Sequence, residues 1–177
     1  MGKLIFILGG ARSGKSRFAL QLARKSGKKV TFIATALPID KEMKARIIVH
    51  KSMRPRNWKT IEVQNNLDEK IREEKSKIIL IDCLTIYIAH LMHLPEVKIL
   101  DHIEKIISAV KKSHSDIIVV SNEVGCSVHP ENKLGRDYRD ILGKVNQIFA
   151  KASYKFYAMF AGIPIDIKKI EKINRAS

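Results

Sequence analysis

Two kinds of apolar run alternate along this chain. Leu4–Leu8, Val30–Ala34, Ile78–Ile81, Ile117–Val120 and Phe156–Phe160 are short and almost continuously apolar, and Thr60–Val63 is a weaker sixth. Runs of this length, rich in β-branched residues, predict strands buried on both faces, as in a parallel sheet. Between them, patterns of helical period cover Lys15–Lys25, Lys41–Met53, Leu67–Glu74, Leu84–Met92, Val97–His114 and Leu134–Lys151. The alternation predicts an α/β fold of three layers, with helices on both faces of a mainly parallel central sheet. No repeat, low-complexity tract or linker interrupts the pattern, and a length of 177 residues suits one domain over 1–177. Residues 168–177 read as a basic, frayed tail. The longest non-periodic stretch, Ser121–Lys133, follows a predicted strand at the end where such sheets bind ligands.

The first strand leads directly into Gly9-Gly10-Ala11-Arg12-Ser13-Gly14-Lys15-Ser16, which satisfies G-x-x-x-x-G-K-[ST]. Glycines let successive backbone N–H groups turn toward a phosphate without Cβ clashes. A helix starting near Lys15 aims its positive dipole end at the same charge. In this reading Lys15 bridges the β- and γ-phosphates of ATP or GTP, and the Ser16 hydroxyl ligates Mg²⁺. The strand before the loop and the amphipathic helix after it are the context the motif requires, so a P-loop NTPase fold of the RecA-like kind is expected. Such a site also needs a carboxylate at the end of a neighbouring buried strand. Asp82, ending Ile78-Ile79-Leu80-Ile81, is the candidate second Mg²⁺ ligand, with a helix N-cap as its alternative role.

Charge adds less. Lys and Arg total 33 against 18 acidic residues, a net +15, so the surface attracts anions. The basic residues are dispersed, Trp58 is the single tryptophan and aromatics make up 6%, which offers no stacking platform for nucleic acid. No nucleic-acid partner is therefore expected. No apolar run reaches the roughly 20 residues of a membrane span, and the N-terminal apolar stretch is too short for a signal peptide, so a cytoplasmic protein is expected. Cys83 and Cys126 stand far apart in no metal-binding or disulfide pattern.

Several further segments occur in order along the chain: Phe32-Ile33-Ala34-Thr35-Ala36, Asp40–Lys51, Arg54-Pro55-Arg56-Asn57-Trp58, Leu80–Thr85, Asn122-Glu123-Val124-Gly125, Pro130-Glu131-Asn132, Leu134-Gly135-Arg136, Tyr138-Arg139-Asp140, Gly143–Gln147 and Ala161–Pro164. Together, from about Lys3 to Lys169, they resemble the bifunctional adenosylcobinamide kinase / adenosylcobinamide-phosphate guanylyltransferase of cobalamin biosynthesis. The resemblance implies two reactions. The aminopropanol hydroxyl of adenosylcobinamide takes the γ-phosphate of ATP or GTP. GMP from GTP is then carried on a histidine to the phosphorylated corrinoid. The guanylylated histidine falls on His50. Guanine-nucleotide contacts fall on the phosphate loop, on Ala34, Thr35 and Ala36, on Lys51, Ser52, Met53 and Arg54, and on Glu62 and Asp82. The resemblance also implies a homo-oligomer, a trimer. Some members carry a second histidine where this chain has Val49, so His50 stands here without a neighbouring competitor.

The chemistry suits His50. Neutral imidazole is a competent nucleophile toward phosphorus, and cations nearby stabilise charge building on the α-phosphate. The helical spacing predicts Arg46 and Arg54 on the face of His50, with Lys51 adjoining. Glu123, after a buried strand, is the candidate general base for the kinase step. His90 and His93 read as helix-surface residues, and no role is read for His129. Two alternatives stay open at this point: a P-loop small-molecule kinase without nucleotidyl transfer, and a nucleic-acid-binding ATPase.

Overall fold

A computed structural model describes residues 2–37, 40–126 and 129–176, with the side chains of residue 46 and residues 173–176 left aside. The order of elements is β1 (Leu4–Gly9), α1 (Lys15–Lys25), β2 (Val30–Ala34), α2 (Lys41–Ser52), β3 (Lys59–Glu62), α3 (Leu67–Glu73), β4 (Ile78–Asp82), α4 (Leu84–Leu91), α5 (Glu96–Lys112), β5 (Asp116–Asn122), α6 (Lys133–Ala152), β6 (Lys155–Phe160), β7 (Ile163–Asp166) and α7 (Ile167–Ala176). The strands form one sheet in the order β3-β2-β4-β5-β1-β6-β7. All neighbours pair in parallel except β6 and β7, which form an antiparallel hairpin at one edge.

The continuous apolar runs divide between the two faces as strand geometry demands. Phe6, Ile33, Ile79, Ile81, Ile117 and Val119 face one core, under the apolar stripes of α3, α4, α5 and α6. Ile7, Phe32, Leu80, Ile118 and Val120 face the other, where Ala19, Leu20 and Ala23 of α1 cover them. Phe6 meets both Phe149 and Phe156 with ring centroids 5.8 and 5.5 Å apart, tying α6 to β1 and β6.

Two elements were not visible in the apolar pattern. β7 contains Pro164, which lacks an N–H for a sheet ladder and is tolerated because β7 is the edge strand. The segment expected to be a frayed tail is instead helical: α7 spans Ile167–Ala176 and packs against β6. Helix α2 is capped by Asp40, whose side chain accepts the Met43 N–H at 2.6 Å. It stands off both cores, leaving Ile48 and Val49 exposed.

Candidate active site

The parallel strands end along one edge, and the candidate residues sit on those ends. Gly9 of β1 pairs with Asn122 of β5, and Ala34 of β2 lies between Asp82 of β4 and Glu62 of β3. This carboxyl edge is where open α/β sheets bind ligands.

The phosphate loop turns tightly between β1 and α1. Arg12 and Gly14 have φ of 55° and 91°, so the backbone alternates in hand and bends its amides into a concave nest. Gly14 is glycine because of that φ, whereas at Gly9 the reason is closeness: a Cβ there would come within 2.7 Å of the Met159 carbonyl oxygen. A Cβ at Gly10 would meet no protein atom within 4 Å, so that side of the loop is open. Ala11 lies exposed on the loop, while Ser13 is buried. Lys15 folds back over the loop. Its ammonium donates to the Gly10 carbonyl and lies 3.5 Å from Ser13 Oγ, where a phosphate would otherwise take its charge. Burial lowers the Lys15 pKa, opposed by the nearby Cys83 and Asp82.

Asp82 is the hub. Its Oδ1 accepts from Ser16 Oγ at 3.3 Å, and its Oδ2 lies 3.6 Å from His50 Nδ1. The carboxylate therefore joins the phosphate loop to the histidine on α2. Its alternative role, capping α4, is not seen: the cap position is Cys83, with no side-chain bond. Thr35 holds this segment in place. Its buried hydroxyl donates to the Cys83 carbonyl at 2.7 Å and accepts the Cys83 N–H at 2.9 Å. Thr35 thereby fixes the backbone of Cys83, next to Asp82, and its hydroxyl keeps one acceptor lone pair. Ala34 is buried and Ala36 half-buried beside it. Burial, reinforced by Asp82, pushes the Cys83 thiol up to about 11.

His50 lies in the last turn of α2 with 43% of its side chain exposed. The expectation that Arg54 shares its helical face is corrected: α2 ends at Ser52, so the i, i+4 relation no longer applies. Ser52 closes the helix by donating to the Val49 carbonyl at 2.8 Å, and the Met53 carbonyl accepts from Arg24. The chain then turns, with the Trp58 N–H on the Pro55 carbonyl at 3.1 Å. The Arg54 guanidinium swings inward and stacks 3.5 Å from the centroid of Phe32. Its Nε and Nη1 are buried and have no hydrogen-bond partner among the described residues. Desolvation lowers its pKa, countered by Asp82 and Glu62. Lys51 pairs with Glu62 at 3.2 Å across the end of β3. An open cleft of about 410 Å³ runs along this corner, lined by Lys51, Arg54, Arg56, Trp58, Thr60 and Glu62.

On the other side of Asp82, Glu123 follows β5. Its backbone N–H donates to the Gly9 carbonyl at 3.0 Å, which keeps it beside the phosphate loop, while its carboxylate accepts the Gly125 N–H at 2.7 Å. A buried polar network behind it was not anticipated. Asn146 accepts from Ser121 Oγ at 2.7 Å and donates to the Asn122 carbonyl at 3.1 Å, and the Asn122 N–H donates to Thr85 Oγ1 at 2.7 Å. The one sequence signal for it was a serine and an asparagine interrupting apolar patterns. The Pro130–Arg136 segment has a capping role: Asn132 Oδ1 accepts the Gly135 N–H at 2.7 Å, and Arg136 donates to the Pro130 and Glu131 carbonyls. His129 Nδ1 lies 2.7 Å from Arg139 Nη1.

Among the described residues, no group of three or more His, Cys, Asp or Glu side chains could hold a metal ion. Ser16 and Asp82 nevertheless converge as one hydroxyl and one carboxylate, the hard oxygen pair that Mg²⁺ takes from protein when phosphates and water complete its shell. Among the described residues, no helix is long and apolar enough to cross a membrane.

A family model described as cobinamide kinase / cobinamide phosphate guanyltransferase matches residues 5–167. The bifunctional adenosylcobalamin biosynthesis protein CobU of Escherichia coli (strain K12) is 35% identical over 181 residues, spanning 93% of this chain and 99% of that protein. The bifunctional adenosylcobalamin biosynthesis protein CobP of Pseudomonas aeruginosa is 39% identical over 165 residues, 92% of this chain and 95% of that one. Among solved structures, the RadB recombinase aligns with a TM-score of 0.51 at 16% identity, over 89% of this chain and 74% of its own. That likeness speaks for the fold alone, the RecA-like P-loop NTPase fold.

Proposed function

The chain belongs to the cobinamide kinase / cobinamide phosphate guanyltransferase family, and on that premise we propose how its residues divide the two reactions. In the kinase step the loop Gly9–Ser16 and the Lys15 ammonium hold the triphosphate of ATP or GTP. The aminopropanol hydroxyl of adenosylcobinamide attacks the γ-phosphorus, and Glu123 takes the hydroxyl proton. Ser16 and Asp82 hold Mg²⁺, which when bound neutralises charge on the phosphate oxygens.

In the transfer step the His50 Nε2 lone pair attacks the α-phosphorus of GTP. A P–N bond forms, the α–β P–O bond breaks and pyrophosphate leaves. A phosphate oxygen of the corrinoid then attacks the same phosphorus, the P–N bond breaks and the GDP-linked corrinoid departs. The observation that carries this reading is the Asp82 carboxylate, which touches both Ser16 of the phosphate loop and His50 Nδ1. Nδ1 faces Asp82, and the attack is assigned to Nε2 on the opposite side of the imidazole. Ala34, Thr35, Ala36, Lys51, Ser52, Met53, Arg54 and Glu62 surround the guanosine, Thr35 by positioning Asp82 and Arg54 through its unpaired guanidinium nitrogens. The proposal extends to a cytoplasmic homo-oligomer, a trimer, with no nucleic-acid partner.

The test is incubation with GTP labelled at the α-phosphate. Wild type should acquire acid-labile, alkali-stable label. His50→Ala should acquire none while still phosphorylating the corrinoid. Label surviving in His50→Ala removes the nucleophile assignment. Kinase activity with no label in wild type would favour a plain P-loop kinase, and hydrolysis stimulated by DNA or RNA the nucleic-acid ATPase.

A further inference from the structure

The hairpin β6–β7 carries an exposed apolar pair that neither reaction above employs. Phe160 ends β6 and pairs with Ile163 at the start of β7, and their exposures are 67% and 64%. Unlike an isolated exposed residue, two large apolar side chains side by side next to a ligand site offer a contact surface. Between them Ala161 and Gly162 make a two-residue turn with φ of 48° and 87°.

That turn is built onto the phosphate loop. The Gly162 N–H donates to the Ser13 carbonyl at 3.1 Å, and a Cβ on Gly14 would come within 3.4 Å of the Gly162 Cα. Sheet order then gives the direction of a bound nucleotide. The Ser16–Asp82 contact marks the γ-phosphate side of the loop, toward β4. The order β4-β5-β1-β6-β7 puts the turn on the opposite side of β1. A triphosphate lying in the loop with its γ end toward Asp82 leads its α-phosphate and nucleoside toward Phe160.

We propose that Phe160, flanked by Ile163, is the platform on which the purine of the phosphoryl-donor nucleotide stacks in the kinase step. The proposal rests on the nucleotide reading of the phosphate loop. It implies that one loop serves two nucleoside positions. The γ-phosphate donor lies toward the β6–β7 turn. The GTP that meets His50 must bring its α-phosphate to the α2 side, with its guanosine along the Lys51–Glu62 cleft. Stacking on an aromatic face needs no hydrogen-bond readout, and the turn Phe160-Ala161-Gly162-Ile163 has no polar side chain to supply one.

The test uses the full-length protein and its Phe160→Ala and Phe160→Trp variants, titrated calorimetrically with the magnesium complexes of adenylyl imidodiphosphate and of inorganic tripolyphosphate. Phe160→Ala should weaken the nucleotide by about tenfold or more, the size of one base–aromatic stack, and Phe160→Trp should restore it. Tripolyphosphate should bind all three proteins within about twofold, because the loop itself is untouched. An unchanged nucleotide affinity in Phe160→Ala overturns the platform. So does equal weakening of both ligands, which would make the turn a prop for the loop. Loss of oligomer in Phe160→Ala with nucleotide affinity intact would assign the face to a second copy of the chain, again overturning it. Wild-type protein that binds neither ligand would remove the nucleotide reading as well.

Discussion

Replacing Arg54 by methionine should stabilise the unliganded protein and weaken its hold on nucleotide. The guanidinium is withdrawn from water with Nε and Nη1 unpaired. Each buried donor left without a partner costs about 1–3 kcal/mol. Against that stand the stack on Phe32 at 3.5 Å, worth about 2 kcal/mol when desolvated, and the attraction of Asp82 and Glu62, worth roughly 1 kcal/mol at these partly exposed positions. The terms sum to between about −1 and +3 kcal/mol, centred on a net destabilisation by the guanidinium of about 1 kcal/mol. Methionine keeps an apolar stem over the ring and removes the unpaired donors. Urea unfolding should show the free energy of unfolding rising by that amount, seen as a higher midpoint at unchanged slope. With nucleotide the sign reverses. Two charge-assisted hydrogen bonds of about 1.5–3 kcal/mol each are lost, so GTP affinity should fall by at least about a hundredfold in calorimetry. A variant that unfolds more easily than wild type by over about 1 kcal/mol, or one that binds GTP normally, would refute the idea of an arginine held unsatisfied for its ligand.

Two further expectations concern the scaffold. Asn146→Ala should destabilise the protein by about 1–3 kcal/mol in urea, because the Asn122 carbonyl loses its side-chain partner while the Ser121 hydroxyl keeps only the longer 3.4 Å contact with Thr85 Oγ1; a loss under about 0.5 kcal/mol would refute a supporting role for the network. Glu74 shows a pH dependence: burial pushes its pKa up, but the Lys59 ammonium and the backbone and side chain of Ser76 outweigh this and draw it down from 4.5 to about 2. A folded-state pKa below the unfolded one gives stability that is present above about pH 4.5 and lost as pH falls toward 2. Glu74→Gln should therefore be less stable than wild type at pH 7, and the gap should close in melts taken near pH 2.

Much of the architecture was readable from local pattern. A strand buried on both faces must be apolar at nearly every position, so β1, β2, β4 and β5 stood out as continuous runs. The phosphate loop was equally plain, because its chemistry resides in consecutive residues between one strand and one helix. β7 escaped notice since an edge strand of four residues with a proline has one neighbour and little to bury. α7 was hidden by its Lys residues, and the Arg54 prediction failed because periodicity reports a helix but not the residue at which it stops.

The active site itself divides the same way. Residue order alone assembled the proposed triphosphate cradle, since the loop, the lysine and the hydroxyl are consecutive in the chain. Tertiary structure decided what that cradle faces. Ser16 and Asp82 are 66 positions apart in sequence and meet because β4 and β5 are inserted beside β1 in the sheet. His50 joins them because α2 returns over the end of β4, and the Phe160 turn lies opposite because β6 pairs on the other side of β1. Local periodicity records only neighbours within a turn or two of chain. Which strand lies beside which is settled by the burial of whole faces against one another, and that is a property of the complete fold.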